Sequence, residues 1–139
     1  MKISQSSAAL FLRLALASGF LSAVASRLGL WGKQSSGWSA FVSYTAQVNA
    51  FVPKNWVLAI AVISTVLETT LGVLLLAGYK TNYAAAAAGL LTLLFAIAMS
   101  SSSGIKEPMD YSVFAFSAGA FLLATMPCYK WSIDQLLIK

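Results

Sequence analysis

The sequence predicts an all-α fold, an integral membrane four-helix bundle with an interfacial amphipathic helix between spans one and two. Three observations predict it. Of the 139 residues, 59% are hydrophobic and only 9% charged, where a soluble domain carries roughly 25% charged residues. The mean hydropathy is +0.79, and a chain this short cannot hide so much apolar surface in its own core. Four continuous apolar runs, at residues 8–30, 56–78, 82–102 and 111–127, approach the ~20 residues that a ~30 Å hydrocarbon layer requires. A membrane barrel would alternate apolar and polar positions instead. The four runs leave little chain for anything else, so residues 1–139 read as a single four-span membrane domain.

The first run imitates a secretory signal: Lys2, an apolar stretch, then Ala23-Val24-Ala25 as an A-x-A site. Arg13 inside that stretch, and the absence of a soluble remainder to deliver, argue for a retained span. Between runs one and two, Trp38, Phe41, Tyr44, Thr45, Val48, Phe51 and Val52 recur at spacings of three and four. They form one face of a helix over residues 37–51, with Ser39, Ser43, Gln47 and Asn49 largely on the other. This helix is too short to span, and its Trp and Tyr suit the headgroup level. It is either an interfacial lid presenting Trp38, Phe41, Tyr44 and Phe51, or a plain anchor. Gly78 suits a helix C-terminus, and Thr81 or Asn82 the next N-cap, so runs two and three form an antiparallel hairpin. The link between runs three and four, residues 103–110, is similarly short; Pro108 cannot continue a helix interior, and Asp110 can cap the fourth helix.

Charge narrows the function classes. The net charge is +5, but the nine basic residues are scattered singly, which excludes the basic stripe of a nucleic-acid binder. There is no histidine and one cysteine, Cys128. The commonest metal ligand and general base is therefore missing, and no internal disulfide, CxxC pair or thiolate cluster can form. No metal site and no catalytic residue is indicated, and no enzyme acting on its own. Lys2, Lys80, Lys130 and Lys139 fall on one face of the four-span arrangement, and Arg27, Lys33, Lys54 and Lys106 on the other. So even a balance does not orient the chain by the positive-inside rule; Arg13 tips both termini toward the cytoplasm.

Two charges interrupt the apolar runs. Glu68 lies ten residues before Gly78, ~15 Å along a helix, and Arg13 lies five residues into its run, ~8 Å from the same face. An arginine side chain can bridge that difference in depth, so the expectation is an Arg13–Glu68 pair inside the bundle. Such a pair either fixes register or, with Ser64 and Thr65 one turn away, holds a proton or a small ligand. At one mouth, Lys106, Asp110 and Tyr111 gather with Arg27 at the end of the first span, where they either cap helices or rim a cavity. Gly19, Gly72, Gly89, Gly119 and the alanines at 84–88 read as helix-packing surfaces.

These residues resemble the DoxX family of small four-span membrane proteins. The match rests on Leu12-Arg13-Leu14-Ala15-Leu16 with Gly19 and Phe20, and on Leu67-Glu68-Thr69-Thr70-Leu71-Gly72 with Leu75-Leu76-Ala77-Gly78. Thr81 with the small-residue start of run three and the stretch Gly104-Ile105-Lys106-Glu107-Pro108-Met109-Asp110-Tyr111-Ser112-Val113-Phe114 follow in order. Arg27-Leu28 stands where the family has a lysine-leucine pair. The resemblance implies a multi-pass protein of a bacterial inner membrane and an accessory or anchoring subunit of a quinone-linked redox complex. Quinone enters through the resemblance alone; no other cofactor is evident. Besides the lipid bilayer, the partners implied are a redox subunit and no nucleic acid, and self-association is left open. A small proton-coupled carrier and an assembly factor without catalysis are the alternatives.

Overall fold

Ser4 opens the first helix: its hydroxyl accepts the Ser7 N–H at 3.1 Å, an N-cap bond that satisfies one of the free donors of the first turn. From there α1 runs Gln5–Arg27. The computed structural model describes residues 4–137, so Lys2 and Lys139 lie outside the described residues. A short 3₁₀ turn, Gly32–Gln34, folds the chain back on the end of α1, where the Gly37 N–H reaches the Ser26 carbonyl at 3.1 Å. The amphipathic segment then forms α2, Trp38–Val48, inside the stretch that its spacing predicts.

Two long helices follow, α3 over Lys54–Ala77 and α4 over Thr81–Ser103. Gly78 ends α3 in the left-handed region (φ 68°), and the Tyr79 N–H closes back on the Leu74 carbonyl at 3.0 Å. A Cβ at Gly78 would collide with both Arg13 Nη1 and Ser132 Cβ, so both backbone conformation and space call for glycine. The N-terminus of α4 departs from expectation. Lys80, itself at φ 46°, stands at the cap position, and neither Thr81 nor Asn82 caps by its side chain. Asp134 does so from the far end of the chain: its carboxylate accepts the Lys80 N–H at 2.6 Å and the Thr81 N–H at 2.7 Å.

After Ser103 come three short helices: α5, Lys106–Asp110; α6, Val113–Ala124; and α7, Ile133–Leu137. Ser112, at φ 57°, breaks α5 from α6, so Asp110 ends α5 and does not cap the fourth apolar helix. The fourth run is shorter than its hydropathy suggests. Only 12 of its residues are helical, about 18 Å of rise. Among the described residues three helices, α1, α3 and α4, are long and apolar enough to cross a membrane.

The described residues form helices and connecting segments, with no strand. α1 packs chiefly on α3, and α4 chiefly on α6; α1–α6 and α3–α4 contacts complete the ring. Small residues bring the backbones together. A Cβ on Gly72 would stand 2.9 Å from the Leu21 side chain, and one on Gly19 would stand 2.7 Å from Phe116. The core between them holds Leu16, Ala17, Phe20, Leu71, Leu75, Ala85, Ala88, Ala120 and Leu123, with Phe20 and Phe116 edge to face at 5.2 Å. The Ser117 hydroxyl satisfies itself on the Gly89 carbonyl at 2.8 Å.

The register of α1 on α3 decides where each charge goes. The two helices run antiparallel, with Arg13 beside Gly78 and Phe20 beside Gly72. Continuing along the pair, Arg27 arrives at Thr65 and Glu68. The N-terminal half of α1, the α3–α4 link and the C-terminal segment therefore share one end of the molecule, and the end of α1 shares the other with α2.

Candidate functional site

Because α3 leans on α1 and α4 on α6, the α3–α4 hairpin spreads away from its Gly78 link. The open end of this wedge is filled by α2, which touches both helices. Beneath α2 lies a cavity of about 330 Å³. One wall is the α3 face Ile60, Ile63, Ser64, Leu67 and Glu68; the other is the α4 face Leu91, Leu94, Phe95, Ala98 and Met99. Each face repeats at three and four, one stripe of a helix. Phe41, Tyr44, Thr45, Val48 and Asn49 of α2 form the roof, and Arg27 enters from the end of α1.

The floor is an ion pair. Arg27 meets Glu68 end-on in a two-bond fork, Nη1 to Oε1 at 3.0 Å and Nη2 to Oε2 at 2.9 Å. Nη1 also donates to the Thr65 hydroxyl at 3.2 Å, and the Phe41 ring covers the guanidinium at 3.7 Å. The side chains of Arg27 and Glu68 are 11% and 3% exposed. A planar guanidinium fork matched to a carboxylate is the strong form of this interaction. The Ser64 hydroxyl bonds back to the Ala61 carbonyl at 3.1 Å and stays at the cavity wall. The cavity is thus mostly apolar, with charge only at the Arg27–Glu68 fork and a few polar groups from Tyr44, Thr45, Asn49 and Ser64, the usual make-up of a small-molecule site.

The expected Arg13–Glu68 pair is not formed. Counting depth along each apolar run separately places the two charges near one level, but the register on α3 puts Arg13 at Gly78, well short of Glu68. Arg13 is buried and serves the opposite end, where its Nη2 donates to the Trp131 carbonyl at 2.6 Å. There it faces Asp134, whose N–H in turn reaches the Gly78 carbonyl at 2.9 Å. Burial alone would raise the Asp134 carboxyl, yet the hydrogen bonds from Thr81 and Lys80, helped by the Arg13 charge, hold it below its ordinary value. Arg13, Asp134 and Gly78 together clamp the C-terminal segment to the α3–α4 link.

The mouth charges also separate. Arg27 turns inward to the cavity and leaves the rim. Lys106 and Asp110 pair with each other along α5, well exposed, and Tyr111 stands outside the cavity lining at 71% exposure. Such a surface pair contributes about 0–1 kcal/mol. Of the four aromatic lid residues, Phe41 and Tyr44 line the cavity, Trp38 stacks at a tilt on Phe41 at 5.8 Å, and Phe51 lies beyond α2 and exposed. The Tyr44 hydroxyl donates to Glu107 Oε1 at 3.0 Å, tying α2 to α5. Burial first, then that bond and the Glu107 charge, push the Tyr44 phenol above its ordinary value.

The structure therefore joins Arg27, Glu68, Ser64, Phe41 and Tyr44 in one site and leaves out Arg13, Lys106, Asp110, Tyr111, Trp38 and Phe51. Sequence reasoning missed the α4 wall, Glu107 and Asp134. The α4 stripe is visible as a spacing, but spacing alone does not tell a cavity wall from a packing face. Nothing local marks Asp134 as a cap for a helix more than fifty residues away. Among the described residues no group of His, Cys, Asp and Glu side chains is arranged to hold a metal ion. Compared with family models, with curated proteins and with solved structures, the chain gives no match.

Proposed function

We propose that this chain is a four-span membrane protein of the DoxX type, seated in a bacterial inner membrane with both termini cytoplasmic. In this proposal it is an accessory subunit that anchors a redox partner and holds a quinone-type molecule. The observation that carries the proposal is the cavity under α2, mostly apolar in its lining and charged only at Arg27 and Glu68. A quinone has the matching division, an apolar ring and tail with carbonyl oxygens that accept N–H donors. The guanidinium has five such donors, and three of its bonds go to Glu68 and Thr65. The resemblance of the sequence motifs supplies the redox context, and electron transfer itself is left to the partner. α6 with α5 before it would provide the fourth crossing, its shortness met by local thinning of the bilayer.

A proton-coupled carrier needs a carboxylate that exchanges its proton as it faces each side in turn. The two-bond fork from Arg27 to Glu68 works against that cycle.

Isolation from native membranes in mild detergent tests the proposal. Protein identification and extraction of bound small molecules should return a redox subunit and quinone in stoichiometric amount. A chain that comes alone, carrying only bulk phospholipid, contradicts it.

A further inference from the structure

The cavity has a side opening and a neutral floor, and together these specify its ligand further. Ile63 and Leu67 on α3 and Leu94 on α4 line the cavity while remaining 58%, 43% and 54% exposed. They are the lips of the cleft between the spread helices, on the surface that faces lipid in a spanning chain. On the α2 side the cavity is roofed, and α2 is tied to α5 through Tyr44 and Glu107.

At the floor, the charges of Arg27 and Glu68 cancel within one fork. The guanidinium keeps donors beyond its three bonds, and the Glu68 carboxylate keeps lone pairs beyond the two it lends to Arg27. A carbonyl head that accepts from the guanidinium is therefore satisfied, and a hydroxyl head can donate to the carboxylate as well. An anionic or cationic head would instead leave one uncompensated charge in an apolar site, which is strongly unfavourable. The volume, about 330 Å³, is at the small end for ligand sites. It accommodates the head and the first part of a chain, the remainder lying in the cleft.

From this we infer that the cavity selects uncharged amphiphiles bearing a hydroxyl or carbonyl head over charged ones, and admits them sideways from the bilayer between α3 and α4. The inference rests on the cavity being a ligand site, and it predicts that Glu68 sets the selectivity. With its charge removed, Arg27 stands as an unpaired cation, and the preference should turn toward an anionic head.

The test uses the full chain in nanodiscs of zwitterionic lipid, with two photoactivatable probes of equal chain length, a diazirine alkanol and the matching fatty acid. At about pH 8 the acid is ionised in water. Labelled peptides are mapped by mass spectrometry. In the native protein the alkanol should label the α3 and α4 cavity stripes at least about tenfold more than the acid, a factor equal to ~1.4 kcal/mol. Glu68→Gln keeps the side chain's size and an acceptor oxygen; it should reverse the ratio, and the acid should now raise its melting temperature. Leu94→Trp should block labelling by both probes without touching the ion pair.

Equal labelling by the two probes in the native protein, or an unchanged ratio in Glu68→Gln, overturns the charge selectivity. Undiminished labelling of Leu94→Trp overturns entry through the cleft. Absence of cavity labelling by either probe overturns the underlying reading of the cavity as a ligand site. The native ratio needs no substitution and decides the charge selectivity even if Glu68→Gln fails to accumulate.

Discussion

Arg27 and Glu68 depend on each other, because removing one leaves the other charged in a nearly dry site. Arg27→Leu and Glu68→Leu should each lower stability by ~3–5 kcal/mol, and the double replacement should recover much of that loss. The losses from Arg13→Leu and Glu68→Leu should instead add, since the two residues serve opposite ends of the α1–α3 pair. Denaturant titration of the purified variants measures both cycles. Additive losses at Arg27 and Glu68 would contradict the fork. A second residue-scale prediction concerns Gly78. Replacement by Ala forces a Cβ into the Arg13 guanidinium and Ser132 at a left-handed backbone position. It should cost more than about 1 kcal/mol and speed proteolysis of the C-terminal segment. That two charges lie in the apolar runs was legible in the sequence; their partners were not. Hydropathy gives each residue a depth in its own run but no register between runs. The close approach of Gly72 to Phe20 and Leu21 sets that register and brings in Arg27, whose place at the end of α1 made it look like a rim charge.

At the scale of elements, the clearest dependence on pH belongs to the C-terminal segment. The Asp134 carboxyl lies below its ordinary value, so its bonds to the Lys80 and Thr81 N–H groups favour folding at pH above the ordinary carboxylate value. That contribution is lost as pH falls through the lowered value. Amide exchange at Lys80 and Thr81, corrected for intrinsic rate, should quicken over that acid range in the native chain. In Asp134→Asn it should be faster already at neutral pH and nearly flat below it; an acid response that survives the substitution would place the switch elsewhere. Capping supplied by a distant segment is worth about 1 kcal/mol on the scale of N-caps. The roof helix makes a different prediction. Single cysteines along residues 37–51 should label with a helical period, Phe41, Tyr44, Thr45 and Val48 protected and Ser43 and Gln47 open. Uniform labelling would mean that α2 does not cover the cavity. Long apolar runs and the spacing of Trp38, Phe41, Tyr44 and Val48 made α1, α2, α3 and α4 legible in the sequence. The end of the fourth run was not. Ser112, in the left-handed region, delays the start of α6, and the helix ends at Ala124, while hydropathy continues past both points.

Across the whole molecule, one end gathers Arg13, the α3–α4 link and α7, and the other gathers Arg27, α2 and α5. Reporter fusions should therefore place Lys80 and the C-terminus on one side of the membrane and Lys54 on the other; agreement among all three would refute four crossings. The polar residues divide in the same way, a structural clamp at one end and a cavity at the other. The cavity at that second end is proposed to hold a molecule drawn from the membrane. Native mass spectrometry of protein released directly from its membranes tests this most directly, comparing the native chain with Ala98→Trp, which fills the cavity from the α4 wall and leaves Arg27 and Glu68 in place. One small amphiphile should be retained on the native chain and be absent from an Ala98→Trp protein that melts at a similar temperature. The same retained species on both proteins, or on neither, would contradict it.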